Sequence, residues 1–132
     1  MLFNRFYSPD FDIEKLKVVQ TNVLSTPEEL PISLRWVAIM SGRVKCDLAA
    51  STGIHDGKAV IKQILAGANA VQVVSTLYRN GTDHLQTMLQ ELDEWMTRHE
   101  YYGLEMFRGK MSQSASENPA VYERVQFMKY FS

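Results

Sequence analysis

The chain has 132 residues, 45% hydrophobic and 22% charged, a globular composition that excludes a disordered, collagen-like or low-complexity chain. Lys plus Arg number 14 against 15 for Asp plus Glu, a net charge of -1, so no global basic field is present to hold nucleic acid or an anionic membrane. The length gives room for one modest core, and no apolar run reaches the roughly 18–20 residues that a membrane span needs. The single cysteine, Cys46, has no partner for an internal disulfide, which favours a reducing, cytoplasmic setting. The first residues, Met1-Leu2-Phe3-Asn4-Arg5, lack the basic-then-apolar layout of a signal peptide.

Residues 1–7 read as a short strand rich in Leu and Phe, stopped by Ser8-Pro9-Asp10. A strand starting at the first residue suggests that the chain begins inside a larger pattern. Residues 11–24 show no clean period and read as short strand pieces or an irregular excursion. Thr26-Pro27-Glu28-Glu29 is a capping box with proline at the first helical position. Pro31 is expected to interrupt, and a helix to resume near Ser33 and run to Ser41, with Gly42 as its stop.

Residues 46–50, Cys-Asp-Leu-Ala-Ala, read as a strand, which would bury Cys46 as an inert core thiol. Ser51-Thr52-Gly53 is a turn, Asp56 caps a helix to about Ala66, and Gly67 ends it. Residues 70–74, Ala-Val-Gln-Val-Val, read as a second strand, apolar on both faces except for Gln72, as in a parallel sheet covered by helices. Residues 46–74 are therefore a βαβ unit with a right-handed crossover. A long amphipathic helix is expected from about Asp83 to His99, its stripe formed by Leu85, Met88, Leu89, Leu92, Trp95 and Met96. The serine-rich residues 111–118 read as loose, and Asn118-Pro119 as the cap of a last helix to about Tyr130.

Adjacent parallel strands bring the turns after them to one carboxyl edge. Ala50-Ser51-Thr52-Gly53 and Val74-Ser75-Thr76 would both offer backbone N–H groups there, and Gly53 lets a ligand approach the main chain. Such an edge suits a phosphate, although serine and threonine at helix starts also serve as plain caps. His55, beside Gly53, could face a bound anion or be a solvated loop histidine. His84 and His99 lie near the ends of the long helix, and His99 suits the negative end of its dipole. No His, Cys and carboxylate spacing matches a metal site.

Several stretches together resemble the dihydroorotate dehydrogenase family. They are Leu2-Phe3-Asn4-Arg5-Phe6-Tyr7, Leu34-Arg35-Trp36-Val37-Ala38-Ile39, Ser51-Thr52-Gly53-Ile54, residues 65–73 and Phe107-Arg108-Gly109-Lys110. The closest likeness is to a bacterial dihydroorotate dehydrogenase-like branch. The resemblance implies an α/β fold, the C-terminal part of a (β/α)8 TIM barrel carrying strands 6 to 8 in an incomplete barrel, with residues 1–132 as one partial FMN-binding domain and 111–132 as its tail. It implies a fragment of an FMN-dependent oxidoreductase of pyrimidine biosynthesis that converts dihydroorotate to orotate. The FMN phosphate loops would fall on Thr52 and Gly53 and on Val74 and Ser75. Asn4 matches a family residue that contacts the orotate ring. The family's catalytic base and flavin-contacting lysine belong to earlier strands, so no catalytic residue is assigned and the fragment is expected to be inactive alone. A complete barrel takes roughly 250 residues, so open sheet edges imply an oligomer or a partner supplying the missing strands. The alternatives are a non-catalytic segment of that kind and another phosphate-binding barrel with a sugar-phosphate or nucleotide ligand.

Overall fold

A computed structural model describes residues 1–3, 9–20 and 22–123. Residues 9–20 form an antiparallel hairpin, β1 (Pro9–Asp12) with β2 (Lys17–Gln20), pairing Phe11 with Val18 and Asp12 with Lys17. Of the two readings of residues 11–24, the short strand pieces form, paired with each other, in place of the irregular excursion. The period-2 signal was hidden because the hairpin faces solvent on both sides: Phe11, Ile13, Leu16 and Val18 are all exposed.

The capping box forms as expected. Glu29 Oε2 accepts the Thr26 N–H at 2.7 Å, and a 3-10 turn over Pro27–Glu29 leads into α1 (Leu30–Met40). Pro31 does not interrupt. It lies in the first turn of α1, where a proline has no intrahelical N–H to lose. The helix therefore starts three residues before the expected Ser33.

Two short strands form the parallel sheet, β3 (Ala49–Ala50) and β4 (Ala70–Val71), with Ala49 opposite Ala70. Leu2 adds a parallel bridge to Ala50 on the other side of β3: Leu2 N–H donates to Ala49 O, and Ser51 N–H to Leu2 O, both at 2.8 Å. Three parallel segments thus lie side by side in chain order. The remainder of the expected first strand, including Asn4, lies outside the described residues. Both later strands are shorter than expected, and among the described residues no closed barrel forms. Ala70 is exposed, so β4 is not the doubly covered strand its composition suggested. Cys46 precedes β3 and is exposed, which overturns its reading as a core thiol. Strand pairing begins only at Ala49, after Asn69 Oδ1 has accepted the Leu48 N–H at 2.9 Å.

Between the strands runs α2 (Gly57–Ala66). Asp56 caps it, its Oδ1 accepting the Ala59 N–H at 2.7 Å, and Gly67 ends it at φ 121. Ile61 and Ile64 are buried. The core joins α1 and α2 to the sheet through Val37, Ala38, Ala50, Ile54, Ala59, Ala66 and Ala68. Burying each larger aliphatic side chain contributes about 1.5–3 kcal/mol.

A short helix α3 (Ser75–Asn80) follows β4, then α4 (His84–Arg98). Of the expected stripe on α4 only Met88 is fully buried, while Leu85 and Leu89 are exposed. Trp95 packs edge-on against Phe107 at 5.0 Å between ring centroids. The start of the stretch expected to be loose, residues 111–113, is instead packed together with residues 107–110 before it. Phe107, Ser112 and Gln113 are buried, and Gly109 N–H and Met111 N–H donate to Ile64 O and Leu65 O at 2.9 and 2.8 Å. The Phe-Arg-Gly-Lys stretch therefore closes the carbonyl end of α2. The expected last helix appears as a 3-10 turn over Pro119–Tyr122, and its continuation lies outside the described residues.

Candidate functional site

The two turns singled out in the sequence follow β3 and β4, whose parallel pairing sends both chains out of the sheet at the same edge. Thr52 and Gly53 both adopt left-handed backbone, φ 80 and φ 78. A side chain at Gly53 would place its Cβ 2.3 Å from the Leu30 amide nitrogen. Glycine is thus required by close approach to the start of α1 as well as by its dihedral angle. Thr52, which is not glycine, is held by two bonds: its Oγ1 donates to Phe3 O at 3.0 Å, and its carbonyl accepts Ser33 Oγ–H at 3.2 Å.

Behind Thr52 stands a buried polar chain. Gln63 and Ser33 are fully buried, and Gln63 Nε2 donates to Ser33 Oγ at 2.8 Å. Gln63 Oε1 finds no hydrogen-bond partner among the described residues.

Ser25, a residue that sequence reasoning passed over, ties the two turns together. It is 5% exposed. Its Oγ accepts the Gly53 N–H at 3.3 Å, and its own N–H donates to Ser75 Oγ at 2.9 Å. The Ser25 hydroxyl also lies 3.3 Å from His55 Nε2. The sequence held no local signal for this, because Ser25 and Ser75 are 50 positions apart.

His55 is half-buried beside this junction. Its carbonyl accepts His84 Nε2–H at 2.7 Å and Thr76 Oγ1–H at 3.5 Å, and Asn80 Nδ2 holds Thr76 Oγ1 at 3.0 Å. Burial holds the imidazole below its ordinary pKa. The hydrogen bond with Ser25 opposes this, Arg79 reinforces it, and Asp56 and Glu29 oppose it more weakly. Val74 is 65% exposed. Gly53, His55 and Ser75 thus meet around Ser25. Thr52 turns its hydroxyl toward Phe3, and Asn4 lies outside the described residues. The junction presents hydroxyls, backbone amides, an imidazole and a nearby guanidinium, a set suited to an anion and poor for a metal. Among the described residues no three His, Cys, Asp or Glu side chains cluster as metal ligands, and no helix is long and apolar enough to cross a membrane.

No family model matches the chain. It is 33% identical over 85 residues to a probable dihydroorotate dehydrogenase A (fumarate) of Enterococcus faecalis, covering 63% of this chain and 27% of that protein. It is 32% identical over 111 residues to the catalytic subunit of a dihydroorotate dehydrogenase B (NAD(+)) of Petrotoga mobilis, covering 82% of this chain and 37% of that protein. A crystal structure of a dihydroorotate dehydrogenase from Eimeria tenella with ferulenol superposes at a TM-score of 0.60 and 25% identity, over 64% of this chain and 23% of that one. The chain therefore spans only 23% to 37% of the length of these relatives. Over most of its own length, the chain is similar to the dihydroorotate dehydrogenases.

Proposed function

We propose that this chain is a segment of an FMN-dependent dihydroorotate dehydrogenase-like oxidoreductase, corresponding to its C-terminal βα units, strands 6 to 8. It carries the half of the site that anchors the cofactor phosphate, at Thr52 and Gly53 after β3 and at Val74 and Ser75 after β4. The observation that carries this reading is the Ser25 bridge between Gly53 and Ser75, which supports a common anion seat at one sheet edge. The donors fit a phosphate monoester. At 3.3 Å the Gly53–Ser25 bond is long for an N–H donor, so an anionic oxygen can replace or share it without loss of a strong bond. The ring chemistry when FMN is bound is hydride transfer at the flavin, with a dihydropyrimidine as the donor. This chain's own contribution is to hold the phosphate and fix its distance from the sheet. Asn4 is the residue assigned to the pyrimidine.

The test is titration of the purified chain with FMN and, in parallel, with riboflavin, which lacks the phosphate. Quenching of flavin fluorescence by FMN alone supports the reading. Equal behaviour of the two flavins overturns the phosphate seat. No turnover of dihydroorotate is expected, since the chain supplies no catalytic base.

A second reading is a non-catalytic segment that works only as an oligomer or with a partner supplying further strands. The exposed Ala70 of β4 and the solvent-facing hairpin favour it. A cooperative, folded monomer by size-exclusion chromatography and thermal melting counts against it.

A further inference from the structure

The hydroxyl of Ser25 has one hydrogen and two neighbours. It already accepts the Gly53 N–H, so in the tautomer of the neutral imidazole that carries its proton on Nδ1 the serine hydrogen is directed at His55 Nε2. A protonated imidazole reverses that bond. His55 Nε2–H then donates to Ser25 Oγ, and the serine hydrogen is released to point elsewhere. One proton taken up by His55 therefore does two things at the junction: it adds a positive charge, and it turns Ser25 into a free donor. Both changes favour a bound anion.

We propose that anion binding at the Gly53–Ser25–Ser75 junction is coupled to protonation of His55 through the hydroxyl of Ser25. The proposal rests on the phosphate-seat reading above and adds its regulation: the seat binds more tightly as the surroundings become more acidic. The groups around His55 are set for such a device. Arg79 of α3 faces it and disfavours its charge, while Glu28 and Glu29 of the turn before α1, and Asp56 on its own loop, favour it. His84 of α4 fixes its carbonyl, and Glu91 of α4 is engaged by the Gly57 N–H at 2.6 Å. An anion placed between Arg79 and the Ser25 hydroxyl offsets the Arg79 repulsion, and reciprocity requires that what tightens the anion also raises the proton affinity of His55.

The chain has only three histidines, so the test can be read residue by residue. Proton NMR follows the imidazole signals of the full chain between about pH 5 and 8, the range in which an imidazole changes charge, in chloride and then in sulfate at matched ionic strength. Sulfate is chosen because its own charge is constant across that range, unlike that of a phosphate monoester. His55→Gln assigns the signal. In sulfate the His55 midpoint is expected to rise by roughly half a pH unit, about a threefold gain in proton affinity. In Ser25→Ala the sulfate effect is expected to vanish although His55 still titrates. Equal His55 midpoints in the two salts, with FMN still quenched in preference to riboflavin, overturn the coupling and leave the phosphate seat standing. A sulfate-dependent midpoint without FMN quenching upholds the coupling and overturns the flavin reading. Neither response overturns both.

Discussion

The Ser25 hydroxyl accepts the Gly53 N–H from 28 residues away, and the Ser25 amide reaches Ser75 Oγ on the far side. One buried serine thus cross-links the turns that follow two neighbouring parallel strands. Ser25→Ala removes the acceptor and leaves a buried amide unpaired. Such a loss costs about 1–3 kcal/mol, so the urea midpoint is expected to fall with an unchanged slope. Ser75→Ala strands the Ser25 N–H instead and is expected to cost a similar amount. An unchanged midpoint in both variants means that the bridge contributes nothing to stability.

Two glycines with almost the same dihedral separate strain from crowding. Gly53 has φ +78 and a Cβ would meet the Leu30 backbone, whereas Gly81 has φ +81 and nothing within 4 Å. Gly81→Ala is expected to cost only the backbone strain of a side chain at φ +81 and ψ 167, about 1–3 kcal/mol. Gly53→Ala must also displace the first residue of α1, so its loss is expected to exceed that of Gly81→Ala by more than about 1 kcal/mol, the lower end of the cost of overpacking. Comparing the two denaturation curves decides it, and equal losses would show that the loop moves away freely.

How much of this was legible in the sequence depended on range. The Thr26–Glu29 box, the Asp56 cap and the Gly67 stop are settled within four residues, and all three form. The fate of Pro31 hinged on whether a helix had already begun, which the preceding 3-10 turn decided. Cys46 and the ends of both strands were misread because small apolar residues look alike inside and outside a sheet, and pairing begins only where Leu2 and Ala70 flank β3. Residues 111–118 look loose by composition, yet Met111 N–H, with Gly109 N–H before it, serves the carbonyls at the end of α2, a role that no local pattern announces. For the candidate site, sequence pointed to Gly53 and Ser75. It could not point to Ser25, whose significance is entirely a matter of distant partners.

For the stability of the fold, Asp56 should behave chiefly as a helix cap. Its Oδ1 holds the Ala59 N–H, and the residue itself is exposed. Asp56→Ala is expected to cost about 1 kcal/mol and Asp56→Ser only a fraction of that, read from thermal melting of each variant. A large loss with serine would point to a charge role rather than a cap.

His55 gives stability a pH dependence of determined sign. Burial places its folded pKa below the ordinary value, so between the two values the unfolded chain holds more protons than the folded one. This contribution is fully present above the ordinary histidine pKa of about 6.5 and is lost as pH falls from there through the folded value. The opposite slope would arise only if an anion already occupied the junction and had reversed the preference. Melting temperatures of the parent and of His55→Gln, measured in chloride across that range, are expected to diverge in slope, the parent losing stability faster toward acid.

The buried pair behind Thr52 offers the sharpest test of satisfied against unsatisfied groups. Ser33→Ala leaves Gln63 Nε2 unpaired next to an Oε1 that already lacks a partner, and also frees the Thr52 carbonyl. A loss of about 1–3 kcal/mol is expected. Gln63→Met removes both amide atoms while keeping length and volume, and it relieves the orphaned oxygen. The double variant Ser33→Ala with Gln63→Met is therefore expected to be more stable than Ser33→Ala alone, a non-additive recovery that a double-mutant cycle measures directly. Simple addition of the two single losses would show instead that Gln63 Oε1 is already satisfied, and that the chain from α2 to Thr52 is held by something other than its amide.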